Sequence, residues 1–370
     1  MPGPVQDFIV MTDVPSVTVA LEPVHNALHS LLLIVEAENI SGLGDWVTRT
    51  AAALTPQERE MHKLVIIGFY YAIVPEQSWA SFPAYIDHLA SCDPVALRDK
   101  MMAVYSGISD CKDADKDGKT PSIDIKTALG SVETYLGFLQ ERFNEKCFDM
   151  DLETRAYPYV IDPPAMQELI VSHLQKMWVE FLAPEWEQIE PVLQDAVRAF
   201  NQVDFGEMSK VEAAQFVGGQ ALTKDKWKKA IEKAERIIFV PTMHIGPYMG
   251  QFWADDVLWI LFGARLPEGV QYHAPALSRA EIVIRLSALA DDNRLRILKL
   301  VSEKGELRSQ DIMQSLGLSQ SAASRHLKQL SATGYLVERR CNGAKCYELD
   351  GGQLKKTLRA VSAFLMGNQA

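Results

Sequence analysis

Cysteine is scarce. Only five occur in 370 residues, Cys92, Cys111, Cys147, Cys341 and Cys346, and none forms a CxxC pair. That is too few and too scattered for the disulfide framework of a secreted domain, and it points to a reducing compartment. Long apolar runs are missing as well. None approaches the ~18 residues that span a bilayer, and Met1 to Val19 has neither a basic leader nor an apolar h-region. A soluble, unexported protein with no membrane partner is expected. The nucleophile elbow, the P-loop, the zinc-protease helix and the dinucleotide glycine fingerprint are all lacking. The adjacent pair Gly218-Gly219 follows a helical stretch and not a strand. No catalytic residue stands out, no cofactor is required, and the chain is not expected to be an enzyme. Positive charge is also short: 37 Lys and Arg face 48 Asp and Glu, a net of −11. Taken alone, that balance argues against nucleic acid as a partner.

The average hides a division. From Leu277 onward there are 15 Lys and Arg against 9 Asp and Glu, a net of +6, so residues 1–276 hold 22 against 39, a net of −17. An acidic body is joined to a basic module. With 48% hydrophobic and 23% charged residues the chain is globular in composition, and its length suits two or three domains. Leu266-Pro267-Glu268-Gly269 through His273-Ala274-Pro275 has the texture of a linker. Two domains are therefore expected, over 1–270 and 277–370. If the module approaches DNA, the acidic body should face away from it.

The expected fold is mainly α (α+β), with a large helical N-terminal domain carrying a small antiparallel sheet. Helices are predicted over Pro23–Glu38, from Asp45 to before Thr55, and over Glu58–Ile73, Phe82–Ser91, Asp93–Ser106, Ile123–Phe143, Pro164–Phe181 and Pro184–Phe200. Ser16–Leu21 alternates like a strand. Arg236–Pro241, Met249–Trp253 and Val257–Gly263 are β-branched and aromatic, with Ala254-Asp255-Asp256 as a hairpin turn between the last two.

The sharpest pattern lies in the basic module. Ser309–Leu316 and Gln320–Leu330 read as two short helices separated by Gly317 and the N-cap Ser319, the arrangement of a helix-turn-helix. Ala323, Leu327 and Leu330 recur at helical spacing and would pack on Ile312, Leu316 and Leu318. Gln320, Ser321, Ser324, Arg325 and Lys328 then fall on the opposite face. Gln suits adenine, Arg suits guanine and Ser reaches base or phosphate, and the helix N-terminus around Ser319 is itself a phosphate site. Gly334–Cys341, Asn342-Gly343 and Ala344–Leu349 read as strand, turn and strand, a wing in which Arg339, Arg340 and Lys345 meet the flanking backbone. The DNA-binding residues expected are thus Ser319, Gln320, Ser321, Ser324, Arg325, Lys328, Arg339, Arg340 and Lys345.

This module resembles the arsenical-resistance-repressor-like (ArsR) family of winged-helix transcription regulators. The resemblance rests on Leu289–Leu298, Leu318–Leu327 and Gly334–Val337 and extends over roughly Leu277 to Met366. It implies a sequence-specific regulator of double-stranded DNA in the prokaryotic cytoplasm, associated with the nucleoid. It further implies a repressor and a homodimer, whose first and last helices, Ser278–Ala288 and Gln353–Leu365, pair. The sequence departs from the family's metal sensors: Ser309–Leu316 holds no Cys-x-Cys, and Gln353–Leu365 lacks the Asp/His set of zinc sensors. The body resembles uncharacterised N-terminal extensions of such regulators. It is expected to sense a small-molecule effector or to mediate assembly, the alternative being an enzyme or protein-interaction domain localised to DNA by the module.

Weaker patterns remain. Asp113, Asp115, Asp117, Gly118 and Asp124 match positions of an EF-hand calcium loop, although Asp replaces the usual Glu at the last position; a solvated acidic loop is the alternative. Glu22, His25 and His29 have the helical spacing of a metal site, or of ordinary packing residues. Cys341 and Cys346 would face each other if Gly343-Ala344 were the central turn residues, and a disulfide there would make the wing redox-sensitive. The seven tryptophans are core residues or pocket walls, and the loop Thr242–Tyr248 could edge such a pocket.

Overall fold

The structure is a computed structural model that describes residues 16–107, 125–143, 149–219, 222, 225–265, 279–341 and 343–366. The predicted calcium-loop residues Asp113, Asp115, Asp117 and Asp124, and the predicted linker 266–275, lie outside the described residues.

The mainly α expectation holds. The body opens with β1 (Val17–Val19), α1 (Pro23–Val35) and α2 (Asp45–Ala53). Next come α3 (Pro56–Lys63), a π turn over Leu64–Gly68, α4 (Tyr70–Ile73), α5 (Phe82–Ser91) and α6 (Pro94–Gly107). Further helices are α7 (Ile125–Ala128), α8 (Val132–Arg142), α9 (Met150–Val160) and α10 (Pro163–Met177), then a second π turn, Trp178–Leu182, α11 (Ala183–Phe200), α12 (Lys210–Gly218) and α13 (Asp225–Lys233). Local chemistry sets these bounds. Thr55 accepts from the Glu58 N–H while the Glu58 carboxylate accepts from the Thr55 N–H, closing a capping box at the start of α3. The single helix predicted over Ile123–Phe143 is divided, because Ser131 caps a new helix by accepting from the Thr134 N–H at 3.2 Å.

The sheet corrects one expectation. Strands β2 (Arg236–Thr242), β3 (Met249–Ala254) and β4 (Val257–Gly263) join β1 in the order β1-β2-β4-β3. The sheet is mixed and not antiparallel: β1 runs parallel to β2 with Val17 opposite Ile237, and β2 parallel to β4 with Ile237 opposite Leu258. Only the predicted hairpin, β3 with β4, is antiparallel. The physical reason is burial on both faces, which is how parallel strands occur. Ile238, Val240, Trp259 and Leu261 pack into the large helical core that includes α1, while Ile237, Phe239, Leu258, Ile260 and Phe262 pack with Phe200, Val217 and Ile231 on the other side.

Several histidines are sealed into the body. His62 Nδ1 lies 3.0 Å from His173 Nε2, and His62 Nε2 lies 2.9 Å from the Leu31 carbonyl. Burial lowers His62 to about 4 and, with the nearby His62 and Lys176, lowers His173 to about 3. The Glu22, His25 and His29 set does not make a metal centre. His25 stacks on Trp259 at 4.5 Å with Nδ1 3.5 Å from Glu22, whereas His29 packs against Phe252 and fills the space a side chain at Gly250 would need. Burial, then His244, lowers His29 to about 4.

The C-terminal module comprises α14 (Arg279–Leu289), α15 (Asp292–Lys304), β5 (Leu307–Arg308), α16 (Ser309–Leu316), α17 (Gln320–Ala332), β6 (Leu336–Cys341), β7 (Ala344–Leu349) and α18 (Gly351–Met366). Its sheet has the order β5-β7-β6. Ile297, Ile312, Leu327, Leu330 and Tyr335 form a core of its own. No helix among the described residues is long and apolar enough to cross a membrane.

Candidate nucleic-acid interface

The interface is built on two short helices and the turn between them. Gly317 adopts φ 65°, a left-handed conformation that favours glycine, and terminates α16. The Leu318 N–H then donates to the Met313 carbonyl at 3.1 Å. Ser319 caps α17, accepting from the Ala322 N–H at 3.3 Å. Ala323, Leu327 and Leu330 are buried, and Ile312 beneath them is fully enclosed.

With that stripe turned inward, Ser319, Gln320, Ser321, Ser324, Arg325 and Lys328 are all exposed. They form one polar row from the capped N-terminus of α17 towards its C-terminal half. The support behind the row is polar as well as apolar. Arg294 donates to the Ala288 and Ser287 carbonyls at 2.6 and 2.7 Å and ties α15 to the end of α14. His326 sits behind Arg325 with Nδ1 3.8 Å from Asp291, and burial lowers its pKa. The Tyr335 hydroxyl, 3.1 Å from both the Arg285 carbonyl and Thr357 Oγ1, joins the base of the wing to α14 and α18.

The wing follows directly. Arg339, Arg340 and Lys345 are exposed, but two of these cations have acidic partners across the hairpin. Arg339 lies 3.3 Å from Glu348 and Lys345 2.9 Å from Glu338. Exposed pairs of this kind contribute about 0–1 kcal/mol, so a phosphate can replace the carboxylate at little cost. The register places Cys341 opposite Ala344 and Arg339 opposite Cys346. The two cysteines are therefore diagonal neighbours, not the facing pair that a Gly343-Ala344 turn would give, and both are free thiols.

Sequence reasoning missed a seam between the body and the module. Lys328 Nζ stands 5.5 Å above the Tyr248 ring, and a side chain at Gly42 would collide with Gln329. Arg265, the last described residue before the linker, reaches Glu281 of α14 at 3.7 Å. A cavity of about 570 Å³ opens here, walled by His29, Trp227 and Tyr248 from the body and by Lys328, Glu338 and Gln353 from the module. The polar, aromatic loop Thr242–Tyr248 was the one signal in the sequence, and Ile245, Pro247 and Tyr248 do edge this cavity. Of the seven tryptophans, Trp227 lines it, while Trp46 stacks on His244 and Trp259 on His25 in the interior.

One buried string has the residue types of a hydrolase triad. Ser30 Oγ is 2.7 Å from His244 Nδ1, and His244 Nε2 is 3.3 Å from Glu185. Ser30 is 1% exposed and its hydroxyl donates to the Asn26 carbonyl at 2.8 Å. A nucleophile must be reachable by its substrate; this serine is enclosed, and the string binds α1 to the loop after β2.

Comparison with known proteins agrees with the geometry of the module. The family model of bacterial regulatory proteins of the arsR family matches residues 291–337. The arsenic resistance transcriptional regulator ArsR1 of Pseudomonas putida (strain KT2440) is 44% identical over 57 residues, which are 15% of this chain and 44% of that protein. The chain thus spans under half the length of the curated relative it matches. No solved structure matches the chain, and the part before the module matches no family model. Residues 291–337 carry the helix-turn-helix of the arsR family of bacterial regulatory proteins.

Proposed function

We propose that the protein is a sequence-specific, DNA-binding transcriptional regulator that acts as a homodimer on a pseudo-palindromic operator, and that it is not an enzyme. The observation that carries this reading is the exposed row Gln320, Ser321, Ser324 and Arg325 on the N-terminal half of an N-capped α17, with the wing beside it. That row has the donors and acceptors a major-groove helix needs. Repression is the direction that the family resemblance favours, and cytoplasmic action at the nucleoid accords with it. Dimerisation is supported by α14 and α18, which pack together and leave Val283, Leu358 and Leu365 more than half exposed on their outer surface. The seam cavity supports effector sensing: its size suits a small molecule, and both the acidic body and α17 wall it.

The test is a salt-controlled anisotropy titration on a DNA site recovered by selection from random sequence. Arg325→Ala should weaken specific binding by about 1–3 kcal/mol while leaving non-specific binding nearly unchanged. Failure of selection to enrich any sequence, or identical discrimination by the variant, would overturn the reading.

A further inference from the structure

The sheet of the wing carries a cluster that DNA binding does not use. Cys341 ends β6, Cys346 lies on the central strand β7, and Glu306 immediately precedes β5. Residues two apart in an antiparallel register share a face, so the pairing of Arg339 with Cys346 puts Cys341 and Cys346 on the same side. Arg308 pairs with Cys346 on the other edge, which brings the chain at Glu306 to that side too. One ligand atom from each residue, the two Sγ atoms and a carboxylate oxygen, lies within 4.8 Å of the others. Cys346 is 3% exposed, Cys341 is half-buried and Glu306 is open to solvent. Among the described residues no other three His, Cys, Asp or Glu side chains meet so closely.

The diagonal placement distinguishes two chemistries. Diagonal neighbours stand about 7–8 Å apart between Cα atoms, beyond the roughly 4.4–6.8 Å that a disulfide spans. A metal ion bridging two sulfurs asks for less: with Zn–S bonds near 2.3 Å, tetrahedral ligand atoms sit about 3.7 Å apart. Closing the cluster to that spacing takes a shift of about 1 Å, within the reach of two χ1 adjustments and an exposed glutamate side chain. Two sulfurs and one oxygen select a thiophilic ion over calcium or magnesium, which prefer all-oxygen shells.

We propose that Glu306, Cys341 and Cys346 form a binding site for a thiophilic divalent cation, with Zn²⁺ as the reference ion and the fourth position open to water. Binding forms two metal–sulfur bonds and one metal–oxygen bond and releases two thiol protons to solvent. One doubly charged ion replaces two protons, so the net charge of the site stays at −1 and nothing is oxidised or reduced. The Cys341 thiol is pushed up to about 12, first by its hydrogen bond with Cys346, then by burial and by Glu306. A cation relieves that crowding of would-be anions, and uptake should steepen as pH rises. Arg340 and Lys345 are the chain neighbours of the two thiols, so an occupied site ties together the strands that present them without altering their electrostatic attraction to phosphate.

The test uses the reduced, full-length protein under anaerobic conditions. Cadmium is titrated while the thiolate charge-transfer absorbance is followed, and Zn²⁺ is titrated against a chromogenic chelator in weak buffer with proton release recorded. Expected are one ion per chain and two protons released per Zn²⁺. Cys341→Ser and Cys346→Ser should abolish uptake, Glu306→Gln should weaken it at least about tenfold, and Cys92→Ser should leave it unchanged. Cys346 is buried and its variant can misfold; Cys341→Ser and Glu306→Gln, checked for native circular dichroism, then decide the matter. No uptake by the reduced wild type, or uptake that survives in folded Cys341→Ser, would overturn the proposal.

Discussion

At the scale of single residues, the buried ionisable groups of the body give it a pH dependence whose sign can be worked out. His29, His62 and His173 are lowered to about 4, 4 and 3, principally by burial. Between pH 6.5 and about 4 the unfolded chain takes up three protons that the folded chain refuses, so the stability they contribute is complete above pH 6.5 and is lost as pH falls. Glu153 works against them. Burial raises it to about 7 even though the Tyr135 hydroxyl donates to it at 2.9 Å. The folded chain therefore keeps a proton that the unfolded carboxyl loses near 4.5, and this contribution declines as pH rises towards 7. Three groups outweigh one: stability should climb from about pH 5 to pH 6.5 with a slope of at most roughly 3 kcal/mol per pH unit. Urea midpoints measured across that range check it, and a flat profile would show the histidines to be solvated. Glu153→Gln should raise the midpoint at about pH 8, where the native carboxyl is ionised in a poorly solvated site, and change it little at about pH 4.5.

At the scale of elements, α14 and α18 leave several large apolar side chains exposed among the described residues. Val283 is 56% exposed, Leu358 54% and Leu365 71%, and in the proposed homodimer this surface would be the one covered. Leu358→Asp should leave the protein folded and monomeric by light scattering, with operator affinity reduced to that of one half-site. A dimer that persists in the variant would move the interface elsewhere.

The elements also show what a sequence can and cannot disclose. The face of α17 was legible because Ala323, Leu327 and Leu330 repeat with the helical period and fix which side is buried. The hairpin of β3 and β4 was legible because its partners are adjacent in sequence. The parallel pairing of β1 with β2 was not, since Val17 meets Ile237 across more than two hundred residues. A hint was present nonetheless: Ile237-Ile238-Phe239-Val240 is apolar without alternation, as a strand covered on both faces must be. In the wing, moving the centre of the turn by one residue shifts the register by two, which separates facing cysteines from diagonal ones on the same face, and periodicity alone does not resolve that step. Glu306 escaped notice for a similar reason, because only the sheet brings it to the thiols.

At the scale of the whole molecule, the question is how a body of net charge −17 affects a module of net charge +6. Two routes are open, and salt separates them. Charge acts at a distance but is screened over about 8 Å at physiological ionic strength and about 30 Å at 0.01 M. The seam acts by contact: Tyr248 lies under Lys328, and Gly42 packs against Gln329 one residue further along α17. The module has its own core and should fold alone over 279–366. If charge dominates, the isolated module should bind DNA more tightly than the full chain at low salt, and the two should converge as salt rises. The orientation inferred from charge, with the body turned away from DNA, predicts this convergence near 0.15 M. A difference that persists at high salt would instead assign the body's influence to the seam. Tyr248→Ala should then close the gap, because Lys328 would be released from the body for phosphate or base.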